Sequence, residues 1–225
     1  MFLNNLPVKV KLYLIGVLGL IGALSVQVFL LNLERTHLVE SRQTELQHLV
    51  ELASGTIGFF QAQESALGKA VAQSQAITAL NKLRYNKGVG YFWVNDFQAN
   101  IISHAINPEL NGKSMSDLQD VDGLYVFREF VKVVEAKGAG LVTYHWQKPG
   151  GAADAEKISF VSEFTPWGWI IGTGAYVDDI DEMFWQGVRA SLLPLLIIYS
   201  IVGILVQLIT ISIKRPLKLL VKEFN

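Results

Sequence analysis

The stretch "FTPWGWIIGTGAYVDDID" (residues 164–181) joins a glycine-rich strand to a long apolar segment. Alternating tryptophan, isoleucine, threonine and alanine predict a β-strand in its middle. Gly172 and Gly174 fall on one face of that strand, which indicates that another element or a ligand approaches this face closely. Asp178 or Asp179 is then expected to cap a following helix, and an acidic metal site is the alternative interpretation of the same residues.

The composition limits the class of protein. The 225 residues carry a formal net charge of −1, and 51% of them are hydrophobic while only 17% are charged. This balance lacks the basic surface of nucleic-acid-binding proteins, so no nucleic acid is expected as a partner. The chain has no cysteine, which excludes disulfides, thiolate catalysis and cysteine-ligated zinc.

Two uncharged segments are each long enough to cross a bilayer as a helix. They are "LYLIGVLGLIGALSVQVFLLNL" (residues 12–33) and "ASLLPLLIIYSIVGILVQLITISI" (residues 190–213). A cleaved secretory signal is the alternative for the first segment, but its apolar core is longer than that of a signal and no small-residue cleavage site follows it. We therefore predict two retained transmembrane helices, at residues 12–33 and 188–213.

The charges that flank these helices predict the orientation of the chain. Lys9 and Lys11 precede the first helix. Four basic residues follow the second helix, namely Lys214, Arg215, Lys218 and Lys222. By the positive-inside rule, residues 1–11 and 214–225 are cytoplasmic, and residues 34–187 form one domain on the other side of the membrane.

The domain at residues 34–187 is predicted to begin with a long helix and to continue as a sheet. Apolar residues recur at helical spacing over residues 34–87, with a bend expected near Gly55 and Gly58. This apolar stripe could pack on the domain, on a second chain, or on both. Over residues 88–178 the period changes to two, with one amphipathic helix between the strands. We predict an α+β fold with a five-stranded antiparallel sheet and its helices on one side.

Strand periodicity brings aromatic rings together with cationic and polar donors. The set is Tyr91, Trp93, His104, Arg128, Tyr144, Trp146 and Lys157. Aromatic walls with a few placed donors are typical of a small-ligand site. Because the donors are mostly cationic, the expected ligand is a small anion, gripped by Arg128 and held by Lys157 or a tyrosine. The alternative is that the aromatic residues are ordinary core and that Lys157 is solvated.

No catalytic motif accompanies these residues. The sequence has no GxSxG elbow, no HExxH pair and no phosphate-binding GxxxxGK[ST] loop. Its four histidines lack the spacing of metal ligands. We therefore predict that the chain is not an enzyme and that it has no metal site and no cofactor.

Four motifs resemble the single Cache sensor domain of bacterial chemoreceptors, the methyl-accepting chemotaxis proteins. They are "GYFWVND" (residues 90–96), "NPELNGKS" (residues 107–114), "YHWQKPG" (residues 144–150) and the stretch at residues 164–181. The resemblance covers residues 34–187. The trailing "IKRPLKLLV" (residues 213–221) resembles the start of a HAMP linker, which predicts such a linker at residues 214–225.

The resemblance implies a PAS-like periplasmic sheet in a homodimer that is embedded in the bacterial inner membrane. It implies short-chain carboxylate ligands of the acetate, propionate, lactate or pyruvate type, bound by the same seven residues. It also implies a cytoplasmic signalling module, in the same chain or in another.

A ligand-driven shift of the strand at residues 172–177 is expected to reach the second transmembrane helix, which the strand directly precedes. Two alternatives stay open. The chain could be the sensory half of a histidine kinase or a cyclase, or an extracytoplasmic adaptor that senses through a partner protein.

Overall fold

The chain divides into two compact units, one of residues 38–182 and one that combines residues 1–37 with residues 183–225. The computed structural model describes residues 6–151 and 154–223, with the side chains of all of these except residues 8, 9, 12 and 213–223. The predicted cytoplasmic ends and HAMP-like linker therefore lie partly outside the described residues, at 1–5 and 224–225.

Helices and strands alternate in the order expected for an α+β domain. The α-helices are α1 (Val8–Gln61), α2 (Glu64–Leu67), α3 (Lys69–Lys82), α4 (Val126–Lys137) and α5 (Val177–Glu223). The strands are β1 (Phe92–Asp96), β2 (Ile101–His104), β3 (Ala139–Gln147), β4 (Asp154–Phe164) and β5 (Trp169–Tyr176). Short 3₁₀ turns lie at Asn86–Gly88, Pro108–Leu110 and Thr165–Trp167.

The five strands form one antiparallel sheet in the order β2-β1-β5-β4-β3, which confirms the predicted fold class. β5 is the central strand, and every one of its residues is buried. Ile170 and Ile171 point to opposite faces of the sheet, and both are fully buried. Both faces are therefore covered, and the prediction of helices on one side only is wrong.

Each face of the sheet has its own core. On the face covered by α1 and α3, here called the α1 face, the buried helical residues are Val50, Ala53, Ile57, Ala72, Ala76 and Leu80. On the face covered by α4, here called the α4 face, they are Val126, Phe127, Phe130 and Val134. The predicted ligand residues of the strands belong to the α4 face.

The predicted helix at residues 34–87 consists of three helices, and its breaks are not at the expected glycines. α1 continues through Gly55 and Gly58 and ends at Gln61. Ala53 and Ile57 are fully buried, so packing against the sheet maintains the helix despite the low helix propensity of glycine. The later break falls at Gly68, whose φ of +80° is a left-handed conformation that glycine adopts without strain.

α1 and α5 each contain a stretch that is long and apolar enough to cross a membrane. In the unit formed by residues 1–37 and 183–225, these stretches meet through polar side chains. Tyr13 Oη donates to Gln207 Oε1 at 2.8 Å, and Gln27 Nε2 donates to Ser191 Oγ at 3.3 Å. Hydrogen bonds of this kind stabilise helix pairs in an apolar environment, where water does not compete for the donors.

Candidate ligand-binding site

The α4 face holds a buried lysine. Lys157 lies in β4, paired with Tyr144 of β3 on one side and with Tyr176 of β5 on the other, and is 1% exposed. Its Nζ donates to Tyr91 Oη at 3.0 Å. The same Nζ lies 4.2 Å from the ring centroid of Tyr91, 5.1 Å from that of Tyr176 and 5.4 Å from that of Trp93. The ammonium group is therefore surrounded by aromatic faces.

Lys157 forms no ion pair with a carboxylate among the residues described. Burial lowers its pKa to about 7, because removing an ammonium from water disfavours its charged form. Contacts with aromatic faces compensate for only part of this desolvation. A bound anion would supply the missing opposite charge.

His104 adds a neutral donor next to Lys157. Its Nδ1 accepts the backbone N–H of Asn107 at 3.0 Å, so the proton of the neutral ring is on Nε2. Burial, and after it the charges of Lys157 and Arg84, lower the pKa of His104 to about 3. The imidazole therefore stays neutral, and its ring centroid lies 5.0 Å from that of Tyr91.

Three buried tyrosines complete the polar groups of the site. Burial raises the pKa of Tyr91, Tyr144 and Tyr176, so their hydroxyl groups stay protonated. Tyr144 Oη lies 3.0 Å from Ser159 Oγ, and Tyr176 Oη donates to the carbonyl oxygen of Gln147 at 2.8 Å. The site can therefore offer hydroxyl, imidazole and ammonium donors to one anion.

Six of the seven predicted residues lie together. Those six and Tyr176 are here called the Lys157 cluster: Tyr91, Trp93, His104, Tyr144, Trp146, Lys157 and Tyr176. Trp146 connects its outer members, because its ring centroid lies 6.1 Å from that of His104 and 6.1 Å from that of Tyr144. The cluster draws on all five strands or their immediate ends.

Arg128, the seventh predicted ligand residue, lies outside the Lys157 cluster. Its guanidinium forms an ion pair with Asp117 and lies 4.3 Å from the ring centroid of Tyr125, with the side chain 51% exposed. The buried side of α4 is fixed by Phe127 and Phe130, and the helical rotation of 100° per residue turns Arg128 away from the sheet. The predicted grip of Arg128 on a ligand is therefore not supported by its position.

The glycines of β5 make room for the cluster. A Cβ at Gly172 would overlap the indole of Trp93, and a Cβ at Gly174 would lie 2.8 Å from Cε of Lys157. This confirms the close approach that the sequence predicted for this face. Tyr176 is the next residue on the same face, so the two glycines also pointed to this missed member of the cluster.

A cavity of about 320 Å³, here called the entrance cavity, reaches the cluster at Tyr91. Its other lining residues are Ile106, Asn107, Gln147, Lys148, Pro149, Gly150 and Gly151. Residues 148–151 belong to the loop that follows β3, so this loop forms much of the cavity wall.

The same loop is tied to the start of α5. Lys148 Nζ lies 2.7 Å from Asp178 Oδ2 and 2.8 Å from Asp179 Oδ1. Both aspartates lie within the first turn of α5, after its first residue Val177, and not at the cap position that the sequence predicted. Their pairing with Lys148 was not predicted. These two ion pairs, here called the Lys148 clasp, connect the wall of the entrance cavity to the helix that follows β5.

Asp120, Asp122 and His145 bring three possible metal-ligand atoms within 4.8 Å of one another. Their separation in the sequence did not indicate this proximity. Asp120 Oδ1 accepts the backbone N–H groups of Asp122 and Leu124, and Asp120 Oδ2 accepts that of His145. Because these bonds tie the loop before α4 to β3, the group has a structural role, and we assign no metal to it.

Known proteins share this architecture. The family described as Cache domain matches residues 24–195. The methyl-accepting chemotaxis protein McpP of Pseudomonas putida is 36% identical over 220 residues, which are 96% of this chain and 40% of McpP. The sensor histidine kinase MctS of Rhizobium johnstonii is 32% identical over 171 residues, which are 75% of this chain and 36% of MctS. The chain thus spans about two fifths of the length of these relatives.

A solved structure extends the comparison to three dimensions. It is described as the structural basis for carboxylic acid recognition by a Cache chemosensory domain. It matches with a TM-score of 0.60 and 42% sequence identity, and the match covers 63% of this chain and 97% of that chain.

Proposed function

The chain belongs to the Cache domain family, as a chemoreceptor-type sensor domain and not an enzyme, and from this premise we propose that it binds a small carboxylate beside Lys157. The ligand is of the acetate, propionate, lactate or pyruvate type. One observation carries the proposal: a buried ammonium without a described carboxylate partner lies among protonated tyrosines and a neutral histidine.

The chemistry of the cluster suits a carboxylate. A carboxylate has two oxygens that only accept hydrogen bonds, and Lys157, Tyr91 and His104 offer donors. Charge-assisted hydrogen bonds to an ammonium are about twice as strong as neutral ones. The short apolar part of the ligand would lie against the rings of Trp93 and Trp146. Carboxylic acid recognition by the similar Cache chemosensory domain also supports this ligand class.

The size of such a ligand limits its affinity. Small ligands reach at best about −1.5 kcal/mol per non-hydrogen atom, and these acids have four to six such atoms. The binding free energy is therefore expected at about −6 to −9 kcal/mol, which corresponds to dissociation constants from tens of micromolar to just below one micromolar.

Calorimetry with the 225-residue chain in lipid nanodiscs tests this proposal. The panel contains acetate, propionate, lactate and pyruvate, with a primary amine and a neutral amide of similar size as negative controls. Lys157→Met keeps an unbranched side chain, one atom shorter, and removes the charge, so it is expected to abolish carboxylate binding. Arg128→Ala is the matched control, since it removes a cation outside the cluster and is expected to leave binding unchanged.

Thermal unfolding separates loss of the site from loss of the fold. Replacing a buried charge by an apolar side chain of similar volume is often neutral or stabilising. Lys157→Met is therefore expected to unfold at the same or a higher temperature than the unsubstituted chain. Carboxylate binding that survives in Lys157→Met, or that is lost in Arg128→Ala, would overturn the assignment of the site.

We further propose how the chain is placed and how it signals. The two apolar helices around a Cache domain indicate an inner-membrane protein with a periplasmic sensor, and we infer that both termini are cytoplasmic from the flanking basic residues. Leu52 and Phe59 of α1 are 70% and 66% exposed, which supports a homodimer that buries this side of the helix. A shift of β5 on ligand binding would pass along the chain to α5.

A signalling module, in this chain or in another, has two candidates. The match to McpP favours a chemotaxis receptor, and the match to MctS favours a histidine kinase. The full reading frame distinguishes them, because a methyl-accepting helical bundle and a kinase domain differ in sequence.

A further inference from the structure

A second cavity, of about 240 Å³, lies beside the Lys157 cluster and is here called the side cavity. Its apolar lining residues are Leu110, Met115, Leu118 and Val126, together with the indole of Trp146. Its polar lining residues are Asn107, Gln119, Asp120, His145, Gln147 and Asp154. The side cavity therefore combines an apolar wall with a polar wall.

Trp146 stands between this cavity and the donors of the cluster. It lines the side cavity, and its ring lies next to those of His104 and Tyr144, two members of the cluster. The indole is held in place by the rings of His104, Tyr144 and Phe127, at centroid distances of 6.1, 6.1 and 5.9 Å. A side chain packed by rings on several sides has little rotamer freedom.

The entrance cavity and the side cavity lie next to each other. Asn107 and Gln147 line both of them, whereas Tyr91 lines only the entrance cavity and Trp146 lines only the side cavity. A carboxylate at Tyr91 and Lys157 would therefore lie at the entrance cavity, and Trp146 belongs to the wall of the neighbouring side cavity.

We propose that Trp146 is the residue that limits the length of the ligand, because it closes the carboxylate site off from the side cavity. The inference rests on the proposed function of the Lys157 cluster. Removing the indole would join the two spaces and let an alkyl chain extend along Leu110, Met115 and Val126. Each methylene buried there would raise affinity about fourfold.

The test uses the full chain in nanodiscs and straight-chain acids from acetate to hexanoate, measured by calorimetry. For the unsubstituted chain we expect binding of acetate and propionate and a sharp loss of affinity for the longer acids. For Trp146→Ala we expect weaker binding of acetate and a gain of about fourfold per methylene from butyrate to hexanoate. Trp146→Phe keeps an aromatic ring in the wall and is expected to give a smaller gain.

Filling the side cavity provides an independent control that leaves the wall intact. Met115→Phe places a larger side chain in that cavity. We expect it to leave the binding of acetate and propionate unchanged in the otherwise unsubstituted chain and to cancel the gain for hexanoate in Trp146→Ala.

The outcomes separate this inference from the function on which it rests. If the unsubstituted chain binds none of the acids, both proposals fall. If it binds the short acids but neither Trp146 variant binds longer acids more tightly, the assignment of the site is kept and the proposed role of Trp146 is wrong. If Met115→Phe weakens propionate binding, or if the unsubstituted chain binds hexanoate as tightly as propionate, the side cavity is already part of the site and Trp146 is not its limit.

Discussion

Lys157 combines two opposed requirements in one residue. Without a ligand, burial favours the neutral amine, and its pKa falls to about 7. A bound carboxylate requires the ammonium. Binding above neutral pH must therefore include the uptake of one proton from solvent.

The affinity for propionate is consequently expected to fall by up to about tenfold per pH unit above a pH of about 7. His104 stays neutral throughout this range because its pKa is about 3, and burial raises the pKa of Tyr91 above its ordinary value. Calorimetry of the nanodisc-embedded chain at several pH values, in buffers of different ionisation enthalpy, measures both the affinity and the proton uptake. An affinity that stays constant from pH 7 to pH 9 would contradict this role of Lys157.

The free energy of unfolding of the ligand-free domain is expected to depend on pH in the opposite sense. Between pH 7 or so and the ordinary lysine pKa of 10.5, unfolded Lys157 keeps a proton that the folded domain has released. Stability should therefore rise with pH in this window, by up to about 1.4 kcal/mol per unit. Urea unfolding followed by tryptophan fluorescence measures it. The rise should be absent in Lys157→Met, and an equal rise in that variant would rule out Lys157 as its source.

At the scale of single residues, strand alternation predicted which side chains of β1, β3 and β4 share a face. It could not predict the position of Arg128, because the rotation of α4 is set by the packing of Phe127 and Phe130 against the sheet. Gly172 and Gly174 indicated a close approach on this face, but their positions alone did not indicate that Tyr176 contacts Lys157. The cross-strand pairing of Tyr176 with Lys157 exists only in the folded sheet.

Among the strands and helices, β5 tolerates substitution least. A Cβ at Gly174 would lie 2.8 Å from the carbonyl oxygen of Ile158 in the neighbouring strand, as well as 2.8 Å from Cε of Lys157. The backbone of β4 cannot move away without breaking its pairing with β5. Gly174 is therefore required by its neighbours and not by its own backbone conformation.

Gly174→Ala is expected to destabilise the domain by about 1–3 kcal/mol, the usual cost of overpacking a well-packed core. Gly55→Ala is the matched control, because Gly55 lies inside α1 with nothing within 4 Å of an added Cβ. That substitution is expected to stabilise the domain by up to about 1 kcal/mol through helix propensity. Urea unfolding of the two variants measures both effects, and similar shifts in the same direction would refute the steric argument.

The sequence predicted the type of most elements but not all of their limits. The spacing of the apolar residues predicted α4 and the strands, because this spacing is a property of a short stretch of sequence. The second helical layer was not predicted, because the closure of a sheet by helices on both faces depends on contacts between distant parts of the chain. The continuity of α1 through Gly55 and Gly58 likewise depends on its packing on β1 and β5.

At the scale of the whole molecule, the feature that bears most on signalling is the connection between the ligand site and α5. The Lys148 clasp ties the loop at the entrance cavity to Asp178 and Asp179 in the first turn of α5. The two oxygen acceptors hold the lysine pKa above its ordinary value, which outweighs the opposing effect of burial. A ligand that displaces this loop must therefore also disturb the first turn of α5.

Lys148→Met is expected to raise amide hydrogen exchange at residues 147–151 and 178–181 by about two- to fivefold, as the loss of a partly exposed ion pair predicts. Exchange in the core of β5 should not change. Lys132→Met is the matched control, since it removes an exposed ion pair with Glu129 on α4. Equal exchange at residues 178–181 in Lys148→Met and in the unsubstituted chain would mean that the clasp does not hold the start of α5.

The two long apolar helices could be predicted from sequence because charge-free runs of this length are unusual in other settings. The pairing of Tyr13 with Gln207 and of Gln27 with Ser191 could not, because it depends on how the two helices turn toward each other.

The distribution of tryptophan over the two faces of the sheet gives the domain a built-in optical probe. Trp93 lies beside Lys157 and Trp146 beside His104, whereas Trp167 and Trp169 contact each other edge-on against the opposite face, with ring centroids 4.6 Å apart. The fluorescence of Trp93 and Trp146 depends on the solvent and charge at the site where an acid would bind. The fluorescence of Trp167 and Trp169, on the other face of the sheet, serves as an internal reference. Ligand binding can therefore be followed by the emission wavelength of the tryptophan residues, without an added fluorophore.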